Sequence, residues 1–288
     1  MLKEQTFNTG VVELNYAEGP PSGPPLVMLH GFTGRWQGFL PLVPALSMRW
    51  QIFAPDYRGH GKSGRVRGRY IVEDYLSDLE AFVDGVLVAP VVFIGHSIGG
   101  LFAVALAERI PEDARAVIVG DVPLSVETWA ALPTNEEAWA RLRDLAGPGQ
   151  CVAELASSLA DLPVPGQDPP MKYGDLPDVS ATSLREWAKT LGQLDPSVMD
   201  WHAEGRRDEL LVALDFERML RGVTCPVLLL QADPSEGGIM ADDDVQYAMS
   251  LLADACHVQI MGAGHDLGLA TWDVAPLLTA VMEFLESL

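Results

Sequence analysis

Ser97 stands between glycines in Gly95-His96-Ser97-Ile98-Gly99-Gly100, directly after the apolar run Pro90 to Ile94. A serine hydroxyl attacks a carbonyl carbon once a neighbouring base takes its proton, and G-x-S-x-G is a spacing that presents such a serine on a sharp turn. The turn is strained and crowded, so the flanking positions have no room for a Cβ. Leu101 to Ala107 continues as a helical run, which predicts Ser97 at a strand–turn–helix junction where backbone amides favour developing negative charge. The base is expected to be His265, in Met261-Gly262-Ala263-Gly264-His265-Asp266. Of six histidines it alone follows a strand-like run in a glycine-rich loop near the C-terminus. His60 and His96 sit in turns and are expected to bond locally, while His202 and His257 have no supporting context. An oxyanion needs two backbone donors, one after the nucleophile and one after an earlier strand. Those are Ile98 and Phe32, the latter in His30-Gly31-Phe32-Thr33-Gly34, with His30 shaping the loop.

The elements that must hold these residues read as alternating strands and helices. Val11 to Ala17 alternates like an early strand. Short continuous apolar runs follow at Leu26 to His30, Gln51 to Ala54, Val91 to Ile94, Ala116 to Val119, Val227 to Leu230 and Val258 to Met261. Such runs suit strands buried on both faces of a parallel sheet. Helical patterns lie between them at Leu40 to Leu46, Ile71 to Val86, Leu101 to Glu108, Asp242 to Leu252 and Val274 to Leu285. The expectation is an α/β fold with a doubly wound, mostly parallel sheet. The alternation breaks between Leu124 and Arg221, a stretch with Trp129, Trp139, Trp187 and Trp201 and a Pro/Gly-rich middle from Leu162 to Pro170. This predicts a core of residues 1–123 and 222–288 with a helical cap, 124–221, inserted between two strands. One or two of the tryptophans are expected to face a substrate.

Composition narrows the partners. The 288 residues are 48% hydrophobic, enough for a large core, and 40 acidic against 19 basic residues give a net charge of −21. Nucleic acid and anionic membrane surfaces are therefore excluded as expected partners. From Val223 to Leu288 there are ten acidic residues and no Lys or Arg. Cys151, Cys225 and Cys256 have no metal-ligand spacing, and their odd number argues against a disulfide framework. They read as reduced thiols. No signal-peptide pattern opens the chain, and no stretch approaches the roughly 18 apolar residues of a membrane span. The expectations are a cytoplasmic protein, no cofactor, no metal, and a small, apolar ester as partner.

With these motifs on the page, the chain resembles the α/β-hydrolase superfamily in its lidded serine-esterase branch. His30-Gly31-Phe32 is similar to that family's oxyanion loop and Asp56-Tyr57-Arg58-Gly59-His60-Gly61-Lys62-Ser63 to its D-x-R-G-x-G-x-S turn. Gly95 to Gly100 is similar to its elbow, and Gly262 to His265 to its G-x-G-H. The four occur in the family's order. What the resemblance leaves open is the acid. Relatives commonly place Asp three residues beyond a Gly that ends the penultimate strand; here Ala232 replaces the Gly and Ser235 occupies the acid's place, with Asp233 early and Glu236 late. Other relatives take the acid 24 residues after the nucleophile, which is Asp121. Asp121, with Asp233 as the alternative, is thus implied as the group that orients His265. Arg58, Lys62, Arg65, Arg67 and Arg69 form a basic cluster, expected to pair with the acidic body, or else with a carboxylate-bearing substrate.

The resemblance implies a serine hydrolase acting on a carboxylic ester, thioester, lactone or activated amide. Carbon–carbon bond hydrolysis or cofactor-free perhydrolysis is the alternative chemistry for the same residues. A ligand receptor on a hydrolase scaffold is the alternative outside enzymes. The serine itself argues against the aspartate-nucleophile chemistry of haloalkane dehalogenases and epoxide hydrolases.

Overall fold

Runs such as Val91-Val92-Phe93-Ile94 and Val117-Ile118-Val119 carry no polar side chain that could face water, so they are stable only where both sheet faces are covered. In a computed structural model, which describes residues 2–88, 90–164, 171–176, 179–211 and 214–288, these runs are buried at the centre of one eight-stranded sheet. The strands are β1 (Lys3–Asn8), β2 (Glu13–Glu18), β3 (Pro25–Leu29), β4 (Gln51–Pro55), β5 (Val91–His96), β6 (Ala114–Gly120), β7 (Val227–Ala232) and β8 (Ala255–Ile260). Their order is β1-β2-β4-β3-β5-β6-β7-β8. β2 runs antiparallel to both neighbours and all other pairs are parallel. One strand, β1, was not expected. Its sequence KEQTFN is almost wholly exposed at the sheet edge, so no apolar face marks it.

The helices are α1 (Val43–Leu46), α2 (Val72–Val86), α3 (Ile98–Arg109), α4 (Val126–Ala131), α5 (Glu136–Leu145), α6 (Val152–Ala160), α7 (Ala181–Leu191), α8 (Asp200–Ala203), α9 (Phe216–Gly222), α10 (Asp242–Leu251) and α11 (Ala275–Ser287). Two hydrophobic clusters fill the two faces of the sheet. One holds α2 and α3 through Leu76, Phe82, Leu101 and Phe102, and the other holds α11 through Leu277, Val281 and Phe284. No helix among the described residues is long and apolar enough to cross a membrane.

Register does the positioning. Leu29 pairs with Gly95, Gly95 with Val119 and Gly120 with Leu230, so β3, β5, β6 and β7 end side by side. Everything that follows those strands emerges on one edge, the carboxyl edge where ligands of open α/β sheets bind.

Between β6 and β7 the chain forms α4 to α9, with residues 165–170 of the Pro/Gly-rich stretch outside the described residues. This insertion is tied to the strand-end loops. Arg35 donates to Thr190 Oγ1 at 3.0 Å and to Gln193 Oε1 at 3.2 Å, the Asp195 amide donates to the Gly59 carbonyl at 2.7 Å, and Tyr70 Oη donates to Asp195 at 2.8 Å. α9, the last helix of the insertion, lies against α3, where Arg218 pairs with Glu108 at 3.0 Å.

Candidate active site

Ser97 adopts φ 56° and ψ −132°, a region where a side chain is strained, between the end of β5 and the first residue of α3. The sharpness of the turn accounts for its glycines. A Cβ on Gly95 would lie 2.0 Å from the Gly99 carbonyl oxygen, and one on Gly99 would lie 2.1 Å from that of Leu29. The turn is locked from the neighbouring strand by the Ser97 amide, which donates to the Gly120 carbonyl at 2.7 Å.

His265 reaches this hydroxyl from the loop after β8. Its Nε2 lies 3.1 Å from Ser97 Oγ, and its Nδ1 lies 2.7 Å from Asp121 Oδ2. Asp121 follows β6, has no exposed surface and adopts φ 42°. Its carboxylate also accepts the backbone amides of Ile239 at 2.9 Å, Met240 at 3.1 Å and Ala232 at 3.1 Å. Burial opposes ionisation here, but the bond from His265 and these amides outweigh it and hold the carboxyl below the usual aspartate value. Asp121 is therefore an anion that keeps a proton on Nδ1 and leaves Nε2 free to accept one.

The structure sets the two acid candidates apart. Asp233 does not approach the imidazole. Its carboxylate accepts the Ser235 amide at 2.9 Å, the Ser235 hydroxyl at 2.7 Å and the Gly262 amide at 2.9 Å, and its own amide donates to the Ala263 carbonyl at 2.8 Å. It ties the end of β7 to the loop that carries His265.

Of the two oxyanion donors named from sequence, Ile98 adjoins Ser97 in the chain and Phe32 follows a glycine packed against Ser97. Ile98 is the first residue of α3, so its amide has no intrahelical acceptor. The amide of Phe32 has no backbone acceptor among the described residues, and the preceding Gly31 is close enough that a Cβ there would lie 3.3 Å from Ser97 Cβ. Three buried side chains set the loop. His30 Nδ1 lies 2.8 Å from the Gly31 carbonyl, Tyr57 Oη donates to the His30 carbonyl at 2.9 Å, and His60 Nε2 lies 2.5 Å from the Phe32 carbonyl.

Both turn histidines depart from expectation: His60 bonds the Arg58 carbonyl locally but also reaches Phe32, 28 positions away. His96 was expected to bond locally, yet its Nε2 lies 2.7 Å from the carbonyl of His265, with the two rings 4.9 Å apart. A turn residue can reach so far because β5 ends beside the His265 loop. Burial, then the adjacent His265, pushes the His96 ring down to about 4, so it is neutral and donates one N–H to that carbonyl. The same applies to His202, down to about 4 through burial and then the nearby Arg207 charge.

Both rings gain protons in the unfolded chain near pH 6.5 but not in the folded one until about pH 4. Their neutral burial therefore stabilises the fold above pH 6.5, and that stabilisation is lost as pH falls from 6.5 towards 4. The loss is on the order of 3 kcal/mol per ring by pH 4. Denaturant midpoints should be flat between pH 7 and 8 and fall steadily below 6.5. A midpoint unchanged down to pH 4.5 would rule this out.

Three of the five residues of the basic cluster form ion pairs among the described residues. Arg58, buried, holds Asp78 at 2.6 Å and Asp74 at 3.2 Å; Arg69 holds Asp74 at 2.9 Å; Lys62 pairs with Glu4. Arg65 donates to the Gln193 carbonyl at 2.9 Å.

Known proteins share this fold. The family model for the alpha/beta hydrolase fold matches residues 24–149. The 2-(acetamidomethylene)succinate hydrolase of Mesorhizobium japonicum is 28% identical over 96% of this chain and 93% of its own length. Among solved structures, E-2-(acetamidomethylene)succinate hydrolase superposes with a TM-score of 0.73 at 24% identity, covering 99% of this chain and 100% of that one. The enol-lactonase of Burkholderia xenovorans superposes with a TM-score of 0.70 at 21% identity, covering 98% and 100%. The chain has the α/β-hydrolase fold, and the part that carries Ser97 matches that family's model.

Proposed function

We propose that this protein is a hydrolase that cleaves a carboxylic ester, or a related acyl bond such as a thioester, lactone or activated amide, through an acyl-enzyme on Ser97. The observation that carries the reading is the relay Ser97 Oγ to His265 Nε2 at 3.1 Å and His265 Nδ1 to Asp121 Oδ2 at 2.7 Å. His265 takes the Ser97 proton as Oγ attacks the carbonyl carbon, and the ionised Asp121 stabilises the imidazolium that forms. The tetrahedral oxyanion rests on the Phe32 and Ile98 amides. As the intermediate collapses, His265 returns its proton to the leaving oxygen, sulfur or nitrogen. A water then gives a proton to His265 while attacking the acyl carbon, and collapse restores the Ser97 hydroxyl and releases the acid.

In this reading residues 124–221 act as the cap over the site. Its Trp139 and His202 rings meet the Phe32 ring, so an apolar part of the substrate packs at that junction. The Mesorhizobium relative is named a 2-(acetamidomethylene)succinate hydrolase, which keeps carbon–carbon bond hydrolysis as the second reading for the same residues. A cytoplasmic location belongs to the same reading, since Cys151 and Cys256 are free and exposed.

The test is a fluorophosphonate probe followed by peptide mapping, with turnover of aryl esters compared with vinylogous diketones. Phosphonylation on Ser97 with ester turnover is expected. Diketone turnover without ester turnover would transfer the site to carbon–carbon bond hydrolysis, and no label with no turnover would point to a ligand-binding role.

A further inference from the structure

The inserted helices line an open cavity of about 200 Å³, bordered in part by Trp139, His202 and Arg207. It begins one side chain away from the proposed oxyanion donor. The Phe32 ring stacks against His202 with centroids 4.5 Å apart and meets Trp139 edge-on at 5.8 Å, and Trp139 and His202 are themselves 4.5 Å apart.

The charge in this cavity is unusual for this chain. Arg207 is only 9% exposed, and no carboxylate lies within 4 Å of it among the described residues. It donates instead to backbone carbonyls at the end of α4, Nη2 to Trp129 at 2.7 Å and Nη1 to Leu132 at 3.2 Å. These carbonyls, with that of Ala130 at 3.5 Å, end α4 and favour a cation there, but they carry only partial charge, so the guanidinium has no counter-ion among the described residues. A counter-ion is not scarce in a protein with 40 acidic and 19 basic residues. The other two buried arginines have carboxylate partners, Arg58 two of them and Arg35 Glu186 at 3.3 Å. The acidic residues that border the cavity, Glu136 and Asp208, are exposed to water rather than turned into a pair with Arg207.

A second observation points the same way. Only four buried side-chain polar atoms lack a partner among the described residues, and two are in this region: His202 Nδ1, on the cavity wall, and Trp129 Nε1, on the residue whose carbonyl Arg207 holds. Buried polar groups are normally satisfied, and one left without a partner next to a cavity marks a place where a ligand supplies it. The available groups are a cation, the Trp129 N–H and an imidazole nitrogen that donates in one of the two neutral tautomers. Their complement is an acceptor-only anion of modest size.

We propose that Arg207 is the counter-ion for a carboxylate on the substrate, with His202 bonding the same group and Phe32 and Trp139 packing the carbons between it and the scissile bond. The substrate class is then an acyl compound with a free carboxylate remote from the bond cleaved, such as a dicarboxylic acid monoester or monoamide. This rests on the reading of Ser97 as nucleophile. It also moves carboxylate recognition away from the Arg58 cluster, in which Arg58, Lys62 and Arg69 are already paired.

The experiment compares 4-nitrophenyl monoesters of succinic, glutaric and adipic acid with 4-nitrophenyl butyrate at pH 7.5. Wild-type protein should prefer at least one charged ester by about tenfold to a hundredfold in kcat/KM, expressed in KM, as expected for a charged hydrogen bond to a buried guanidinium. Arg207→Met should abolish the preference and Arg207→Lys should recover part of it. In parallel, Ser97→Ala protein is titrated calorimetrically with glutarate, and binding should disappear in the Ser97→Ala, Arg207→Met double variant. If wild-type protein turns over the butyrate ester and prefers none of the charged ones, the inference is overturned while the serine-hydrolase reading stands. This comparison needs no variant to fold. If neither ester class is turned over but glutarate binds in an Arg207-dependent way, the anion site stands and the serine-hydrolase reading falls.

Discussion

Ser97→Ala is expected to lower kcat on a neutral aryl ester by about 10⁴- to 10⁶-fold with little change in KM. The substitution removes Oγ and with it the 3.1 Å contact to His265 Nε2, while the Phe32 and Ile98 amides and the acyl-binding surfaces stay in place. Residual turnover should then be what the oxyanion donors and His265-activated water supply together. The backbone should tolerate the change, since φ 56° at this position is no more costly for alanine than for serine. A thermal melt coincident with wild type would establish that the loss is chemical. The pre-steady-state burst of 4-nitrophenol, present if acyl-enzyme accumulates in the wild type, should vanish altogether. A Ser97→Ala protein that kept more than about 1% of kcat would mean that some other group attacks the carbonyl, because the oxyanion contribution alone falls well short of that.

What sequence made visible was what is local. The strand cores announce themselves as continuous β-branched runs, and the elbow needs only six consecutive residues whose two flanking glycines are each demanded by a backbone atom about 2 Å away. The whole doubly wound architecture follows from repeating that pattern. β1 escaped because an exposed edge strand has no apolar face to declare it. Residues that act across the fold escaped for a different reason. His96 meets the His265 carbonyl 169 positions away, and Arg207 meets the Trp129 carbonyl 78 positions away. Neither partner is a side chain with a recognisable type, so no spacing rule could have flagged them. His202 looked unsupported in sequence because its neighbours, Phe32 and Trp139, are brought to it only when the insertion folds over the strand ends.

The acid is the case in which sequence offered two positions and geometry separates them, and it carries the second large effect. Asp121→Asn is expected to lower kcat by about 10⁴-fold, whereas Asp233→Asn should stay within about tenfold of wild type. An asparagine at 121 retains the shape but not the charge. It can present an N–H where His265 Nδ1 now has an anion 2.7 Å away, which favours the wrong tautomer and leaves the imidazolium without its counter-charge. The wild-type carboxyl sits below the ordinary aspartate value, so it is ionised throughout any assay above pH 5. Its stabilising contribution is complete above about 3.9, the ordinary value, and is lost only as pH falls through the lowered one. The acid limb of the wild-type pH–rate profile therefore does not report Asp121. In Asp233→Asn one carboxylate oxygen becomes a donor, so either the Gly262 bond or the pair from Ser235 is lost; these steady the loop carrying His265 without touching its ring. That variant should show a lowered melting temperature and a modest fall in kcat. The opposite ranking, Asp233→Asn the more damaging in kcat at equal folded fraction, would require the His265 loop to shift during turnover so that its Nδ1 exchanges one aspartate for the other.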